Sequence, residues 1–451
     1  MERKMAFLVG ICILLVCFTG CAKTPAALSS TPQIVINTPV STSLSITGTN
    51  SFTDPSGQYH VAGEITNSGS RGVTSVQLSI QITDASGASL LRDAGNKPVD
   101  SLTFAPLIDT IAAGQSAPFL YTLATTHGIP AAYQLHISAS QPVQASPASL
   151  KSENLQIVND GLYYYLTGEL VNPGSQWVAI QGLAGGVRSA QNFVLSAGRS
   201  SIYAGELAPS GDPAKRDRTP FVIVFPMPDV DVAQTALWLD AEVLAKPNDD
   251  AFVFSLTNAY TDEYNNYHIV GSLTNNTSQS LDTTALVGLY TQAGKVLDAD
   301  STPVAFAVDP GQSVPFDLSS FAAINRVSGQ AALISGYSAQ IDPAETFAPV
   351  QPTVSLSSPD AKFQNDFGTL TVTGNFTNSS GKNLSTVTAL AVVRDASGRL
   401  IATNAISLNP PSGNVFSPNA QGSYKFYVYL DPNADTTGYS YSLLLQGMIA
   451  P

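Results

Sequence analysis

Cysteine is nearly missing from this chain. Its three copies, Cys12, Cys17 and Cys21, all lie within the first 21 residues. A disulfide framework and a thiol nucleophile are therefore excluded from everything that follows. Histidine is scarce too, with four copies, which leaves little material for metal centres. Basic charge is short: 20 Lys and Arg face 33 Asp and Glu, a net charge of −13. Binding phosphates takes Lys and Arg, so nucleic acid is excluded as a partner class and attraction to anionic headgroups is weak. No stretch beyond residue 21 carries a long, capped helical period. No phosphate-binding loop or dinucleotide fingerprint occurs, and no carboxylate pair for glycoside hydrolysis can be singled out.

What is present is apolar substance. The chain has 451 residues, 44% of them hydrophobic and only 12% charged. That is enough for several cores and a length of about three or four domains. Residues 1–20 read as a targeting segment. Arg3 and Lys4 give a positive start, and Ala6 to Phe18 is an unbroken apolar run. The run is too short to span a bilayer, which takes about 20 residues, and suits a signal-peptide core. Phe18-Thr19-Gly20-Cys21 resembles the lipobox of bacterial lipoproteins, with Phe18 where Leu is usual. The resemblance implies cleavage before Cys21 and acylation of its sulfur, hence a protein anchored in a cell membrane or outer membrane and facing away from the cytoplasm. The other reading is an ordinary secretory signal. Residues 21–45 are rich in Ser, Thr, Pro and Ala, a tether composition.

Internal repetition organises the rest. YHVAGEITNSG from Tyr59, YYLTGELVNPG from Tyr164, YHIVGSLTNNT from Tyr267 and LTVTGNFTNSS from Leu370 share a Gly followed four residues later by Asn. Gly63, Gly168, Gly271 and Gly374 advance by 105, 103 and 103 residues, as do Asn67, Asn172, Asn275 and Asn378. A second mark is a Pro-Phe pair at Pro118-Phe119, Pro220-Phe221 and Pro315-Phe316, matched in the fourth copy to Lys425-Phe426. A third is a turn, Asp84 to Gly87, Gln292 to Gly294 and Asp395 to Gly398, with no clear equivalent in the second copy. Leu78, Ile80 and Ile82 alternate with polar residues, the period of a half-buried strand. The Asn suits turn chemistry, and a Gly inside a strand predicts a bulge or a close approach.

About 100 residues per copy, all strand, predicts an all-β chain of four tandem immunoglobulin-like sandwiches. The expected units are 1–20 signal peptide, 21–45 tether, and sandwiches 46–147, 148–248, 249–350 and 351–451. The strand, the Gly-x-x-x-Asn motif, the Asp-x-x-Gly turn and the Pro-Phe are similar to FxLYD-type domains, small immunoglobulin-like modules of prokaryotic envelope proteins. That resemblance implies a fold and an extracytoplasmic setting rather than a reaction.

Chemistry is sparse. His60 and His268 share a repeat position that holds Tyr165 and Thr371 in the other copies, which reads as a strand face. Glu64 and Glu169 read as exposed strand positions, and Asp229/Asp231, Asp298/Asp300 and Asp431/Asn433/Asp435 as solvated loops, weak calcium sites being the sharper alternative. The second copy is divergent. It holds both tryptophans, Trp177 and Trp238, and a basic cluster, Lys215, Arg216 and Arg218, in a loop from Ala208 to Thr219. Loops on a fixed scaffold are where binding varies. Trp177, Lys215, Arg216 and Arg218 are accordingly the candidate ligand-binding residues, and Cys21 the candidate lipid site. The expected function is noncatalytic: binding of envelope polysaccharide or a surface protein, with a structural spacer as the alternative and a surface hydrolase as a distant third. No cofactor is expected.

Overall fold

A computed structural model describes residues 33–35, 43–123, 128–212, 216–245, 252–282, 284–290, 294–320, 334–341, 350–410 and 413–451. The signal peptide, Cys21, His127 and Lys215 lie outside the described residues. Among those described there is no helix. The chain is all-β, built as tandem immunoglobulin-like sandwiches.

The first sandwich contains β1 (Gln33–Val35), β2 (Leu44–Thr53), β3 (Tyr59–Asn67), β4 (Gly72–Thr83), β5 (Leu102–Phe104), β6 (Ser116–Leu123) and β7 (Ala132–Val143). One sheet runs β2-β3-β6 and the other β1-β7-β4-β5. The second has β8 (Lys151–Asn159), β9 (Tyr163–Val171), β10 (Trp177–Arg188), β11 (Val194–Arg199), β12 (Glu206–Leu207), β13 (Arg218–Pro226) and β14 (Gln234–Leu244). Its sheets are β8-β9-β13 and a second in which β10 pairs with β11, β12 and β14. The third has β15 (Phe252–Thr261), β16 (Tyr267–Asn275), β17 (Thr284–Tyr290), β18 (Val296–Pro303), β19 (Ser313–Ser320) and β20 (Gly336–Ile341), paired β15-β16-β19 and β18-β17-β20. The fourth has β21 (Thr353–Leu356), β22 (Lys362–Asp366), β23 (Thr369–Thr377), β24 (Leu384–Arg394), β25 (Leu400–Leu408), β26 (Gln421–Tyr429) and β27 (Ser440–Ile449), paired β22-β23-β26 and β21-β27-β24-β25.

One wiring recurs. An opening hairpin takes a third strand that returns from the far sheet, and the chain crosses between sheets in the Greek-key manner. Alternation explains the layers. In β4, Leu78, Ile80 and Ile82 are buried between the sheets, as is Leu135 of β7, the strand paired beside it.

Three residues of the stretch read as tether do not hang free: β1 lies parallel to β7, Gln33 opposite Tyr133. β2 begins at Leu44, two residues before the expected start of the first sandwich. The connector into the second sandwich is pinned as well, where the Ala148 amide donates to the Ala241 carbonyl.

The cores are not sealed from one another. The apolar cluster of the first sandwich continues into Ala184, Val194, Ala197 and Trp238 of the second, and the third and fourth sandwiches share one cluster.

Candidate functional site

The repeated asparagines are buried staples. Each sits at the end of the second strand of the opening hairpin, or one residue past it, and donates through Nδ2 to two places at once. One acceptor is the carbonyl four residues on: Arg71, Gln176, Gln279 and Lys382, at 2.7 to 2.8 Å. The other lies on the segment leading to the returning strand: Ile111, Ala208, Val308 and Phe416, at 2.7 to 3.0 Å. Each Oδ1 accepts the amide two residues ahead, at Gly69, Gly174, Thr277 and Ser380. Only this last bond is the turn chemistry expected. The tertiary bonds satisfy carbonyls that burial would otherwise orphan.

The glycine and Pro-Phe marks are two halves of one contact. Gly63 pairs directly with Phe119, Gly168 with Phe221 and Gly271 with Phe316. A Cβ at Gly63 or Gly271 would sit 2.6 Å from the ring, so the aromatic needs the bare backbone. In the first three copies the opening strand bulges opposite the same glycine, so both readings of it hold. In the fourth copy the residue opposite Gly374 is Tyr424. Phe426 therefore lies two residues beyond the counterpart of Phe119, an offset that period-2 alternation conceals. The second copy does have the third mark. Ser189 to Asn192 closes as the Asp84 turn does, the Asn192 amide on the Ser189 carbonyl at 2.9 Å, with Asn192 at φ +67° where the others use Gly.

Both repeat histidines are buried and bound to Asp, which the strand-face reading did not foresee. His60 stacks on Phe52, with Nε2 3.0 Å from Asp54 Oδ2 and Nδ1 3.0 Å from the Thr122 hydroxyl. Burial depresses its pKa, only partly opposed by Asp54. His268 stacks on Tyr260 at 4.7 Å and lies between two carboxylates. Nδ1 is 2.9 Å from Asp317 and Nε2 is 3.2 Å from Asp262. Burial again works against the charged ring, but the pull of Asp317 and Asp262 outweighs it and the pKa is raised. In the second copy the Tyr165 hydroxyl reaches Asp160 at 2.6 Å. The recurring signal is an Asp five or six residues before the aromatic position, in the opening hairpin turn.

The glutamates are not exposed. Glu64 pairs with Arg188 of the second sandwich at 2.5 Å, and Arg188 lies 4.9 Å over the Trp238 ring. Glu169 is buried, accepts from Asn154 at 3.0 Å and faces Arg218 at 3.6 Å. Arg218 is thus spent on neutralising a buried carboxylate. Arg216 lies 5.5 Å over Trp177 and is held by Asp212 at 3.0 Å. The fold brings Trp177 and Arg216 together, and one face of the half-buried Trp177 is covered by the protein's own guanidinium. Asp217 folds the same loop inward by accepting the Gly211 amide.

The least covered aromatic ring among the described residues is elsewhere. Phe367 is 98% exposed. It sits at φ +50° in the two-residue turn between Asp366 and Thr369, a position that favours Asn or Gly. Thr369 bonds Glu263 of the neighbouring hairpin turn, and the next residue there, Tyr264, is 59% exposed and edge-on to Tyr429 at 5.3 Å.

The acidic pairs give no metal centre. Among the described residues no group of three His, Cys, Asp or Glu is placed to hold a metal ion. Asp431 and Asp435 accept the amides of Asn433 and Thr437, as turn caps do. Asp298 is buried in β18, against the loop expected there.

No family model and no curated protein matches the chain. Solved structures similar to it include native α2-macroglobulin of E. coli, 9% identical over 88% of this chain and 28% of that one, with a TM-score of 0.13. A mutant of Salmonella α2-macroglobulin is 9% identical over 89% of this chain and 29% of that one, and dimeric latent PorU of Porphyromonas gingivalis is 10% identical over 90% and 33%, both again with a TM-score of 0.13. The chain spans about a third or less of each of these proteins. At such scores the likeness carries no argument about function.

Proposed function

We propose that this protein is a lipid-anchored envelope protein that binds a polysaccharide or surface-protein ligand without catalysing a reaction. Cys21 is the acylated residue, residues 1–20 are removed, and FxLYD-type modules carry the binding surface away from the membrane. The observation that supports binding most directly is the pair of uncovered rings at joined hairpin tips, Phe367 and Tyr264. Holding Phe367 at positive φ costs about 1 kcal/mol against Asn or Gly, and displaying it in water recovers none of that. The Trp177–Arg216 shelf is the second candidate surface, with one ring face already taken.

The test uses the chain from residue 22 onward, which keeps β1 and β2 whole, against isolated envelope polysaccharide and whole cells. Saturable binding is expected, reduced at least tenfold by Phe367→Asn with Tyr264→Ser. Loss with Trp177→Ala instead moves the site to the second sandwich. Phe367→Asn should itself raise stability by about 1 kcal/mol, since Asn-Gly suits this turn. Cys21→Ser in the full chain should release the protein from the membrane fraction, and unchanged retention removes the anchor from the proposal.

A spacer is the second reading, favoured by the interlocked junctions. Gln156 and Thr167 of the second sandwich both donate to the Val296 carbonyl of the third, at 2.8 and 2.7 Å. No binding above background to either probe would leave that reading standing alone.

A further inference from the structure

We infer that Asp262, His268 and Asp317 form a proton-operated latch holding the third sandwich against the fourth, closed while both ring nitrogens of His268 carry protons. With Asp262 and Asp317 ionised the geometry requires the charged ring, and burial, which pushes the Asp317 carboxyl up, is opposed there by the same imidazolium. Nδ1 and Nε2 each face a carboxylate, and a neutral imidazole has only one N–H to give. Its lone pair would then point at a buried anion. His60 makes the comparison within the same chain. Its second partner is the Thr122 hydroxyl, which donates or accepts, so a neutral ring satisfies both contacts.

The cluster is wired to the junction. Tyr260, stacked on His268, donates its hydroxyl to the Tyr429 carbonyl of the fourth sandwich at 2.7 Å. Asp262 accepts the amides of Tyr264 and Asn266 and so shapes the turn that sends Glu263 to Thr369 and Tyr264 to Tyr429. Three contacts across the junction therefore depend on residues that touch the imidazole or shape its turn. The ionisable groups around it are Tyr260 on β15, Asp262 in the turn and Asp317 on β19, with Asp431 of the fourth sandwich acting on Tyr260. Loss of the second ring proton leaves two buried carboxylates without a cation between them.

The direction in pH follows from the raised pKa of His268. A group that holds its proton more tightly folded than unfolded stabilises fully below the unfolded value, about 6.5 for His, and loses that contribution as pH rises through the folded value. The latch is closed near 6.5, the unfolded value, and loosens as pH rises through the higher folded value.

The experiment uses the chain from residue 22 with dyes at Ser278→Cys and Lys382→Cys, exposed sites in the third and fourth sandwiches. The interdye distance distribution and the His268 imidazole resonances are followed from about pH 6 to 9, the range in which a raised His titrates. A narrow distribution at the acid end should broaden with a midpoint above 6.5 that coincides with His268 titration. His268→Gln should abolish the transition. Asp317→Asn should shift the midpoint down by about one pH unit or more. His60→Gln should leave it in place. An unchanged distribution in the wild-type chain, a His268 midpoint at or below 6.5, or a transition surviving in His268→Gln would each overturn the latch. Should His268→Gln not fold, the Asp317→Asn shift decides alone.

Discussion

Asn378 shows what one residue can hold. Its side chain donates to the Lys382, Phe416 and Ser417 carbonyls and accepts from Ser380, inside a buried site. Asn378→Ala strands those carbonyls, and a buried acceptor without a partner costs about 1–3 kcal/mol. The expected loss is about 3 kcal/mol in urea unfolding of the fourth sandwich, and a loss below about 1 kcal/mol would mean that water replaces the amide. The period of the motif made these asparagines visible in the sequence. Their role was not, because the carbonyls they bind belong to segments 33 to 44 residues away, and no local pattern names a partner at that range. The histidines teach the same lesson. Substitution by Tyr and Thr at one repeat position reads as indifference, yet in three copies the side chain there, His60, Tyr165 or His268, answers an Asp in the preceding turn.

At the scale of the element, the bulge, the glycine and the aromatic form one device. The aromatic of the returning strand lies over the bare backbone, and the bulged opening strand makes room on the other side. Glycine costs strand stability by itself, and a directly opposed aromatic offsets the cost by covering it. Turns obey their own chemistry. Ser189 to Asn192 performs the task of Asp84 to Gly87 with different letters, because Ser also caps an amide and Asn tolerates positive φ. Asn192→Val should therefore cost about 1–2 kcal/mol, since a β-branched residue resists that backbone, while Asn192→Gly should be close to neutral. Thermal unfolding of the two variants checks this, and equal melting temperatures would count against a turn held at positive φ.

For the whole molecule, the junctions decide behaviour. Arg188 leaves its own sandwich to meet Glu64, with Trp238 beneath it, and Thr110 of the first sandwich donates to Asp240 of the second at 3.1 Å. Breaking a buried pair leaves an uncompensated charge. Arg188→Ala should cost about 3 kcal/mol and split the melting of the first two sandwiches into separate transitions in calorimetry. Glu64→Gln in the same chain should restore part of the loss by removing the orphaned charge. A single unchanged transition in Arg188→Ala would show that the shared apolar cluster alone couples the two. Stiff coupling matters for either functional reading, since a surface is displayed, or a distance kept, only by domains that do not swing freely.

The sequence by itself determined the strand content, the sandwich class and the fourfold repeat. These depend on local alternation, on turn residues and on composition, all of which act over a few neighbours. It also exposed the absence of disulfides and of recognisable catalytic motifs. Only the tertiary structure decided that Glu64 and Glu169 are covered, that Arg216 and Arg218 are engaged by the protein itself, and that His268 sits between two carboxylates while His60 meets one. Those facts rest on contacts between strands and sandwiches far apart in the chain, and electrostatic character follows from who is near in space, not who is near in sequence.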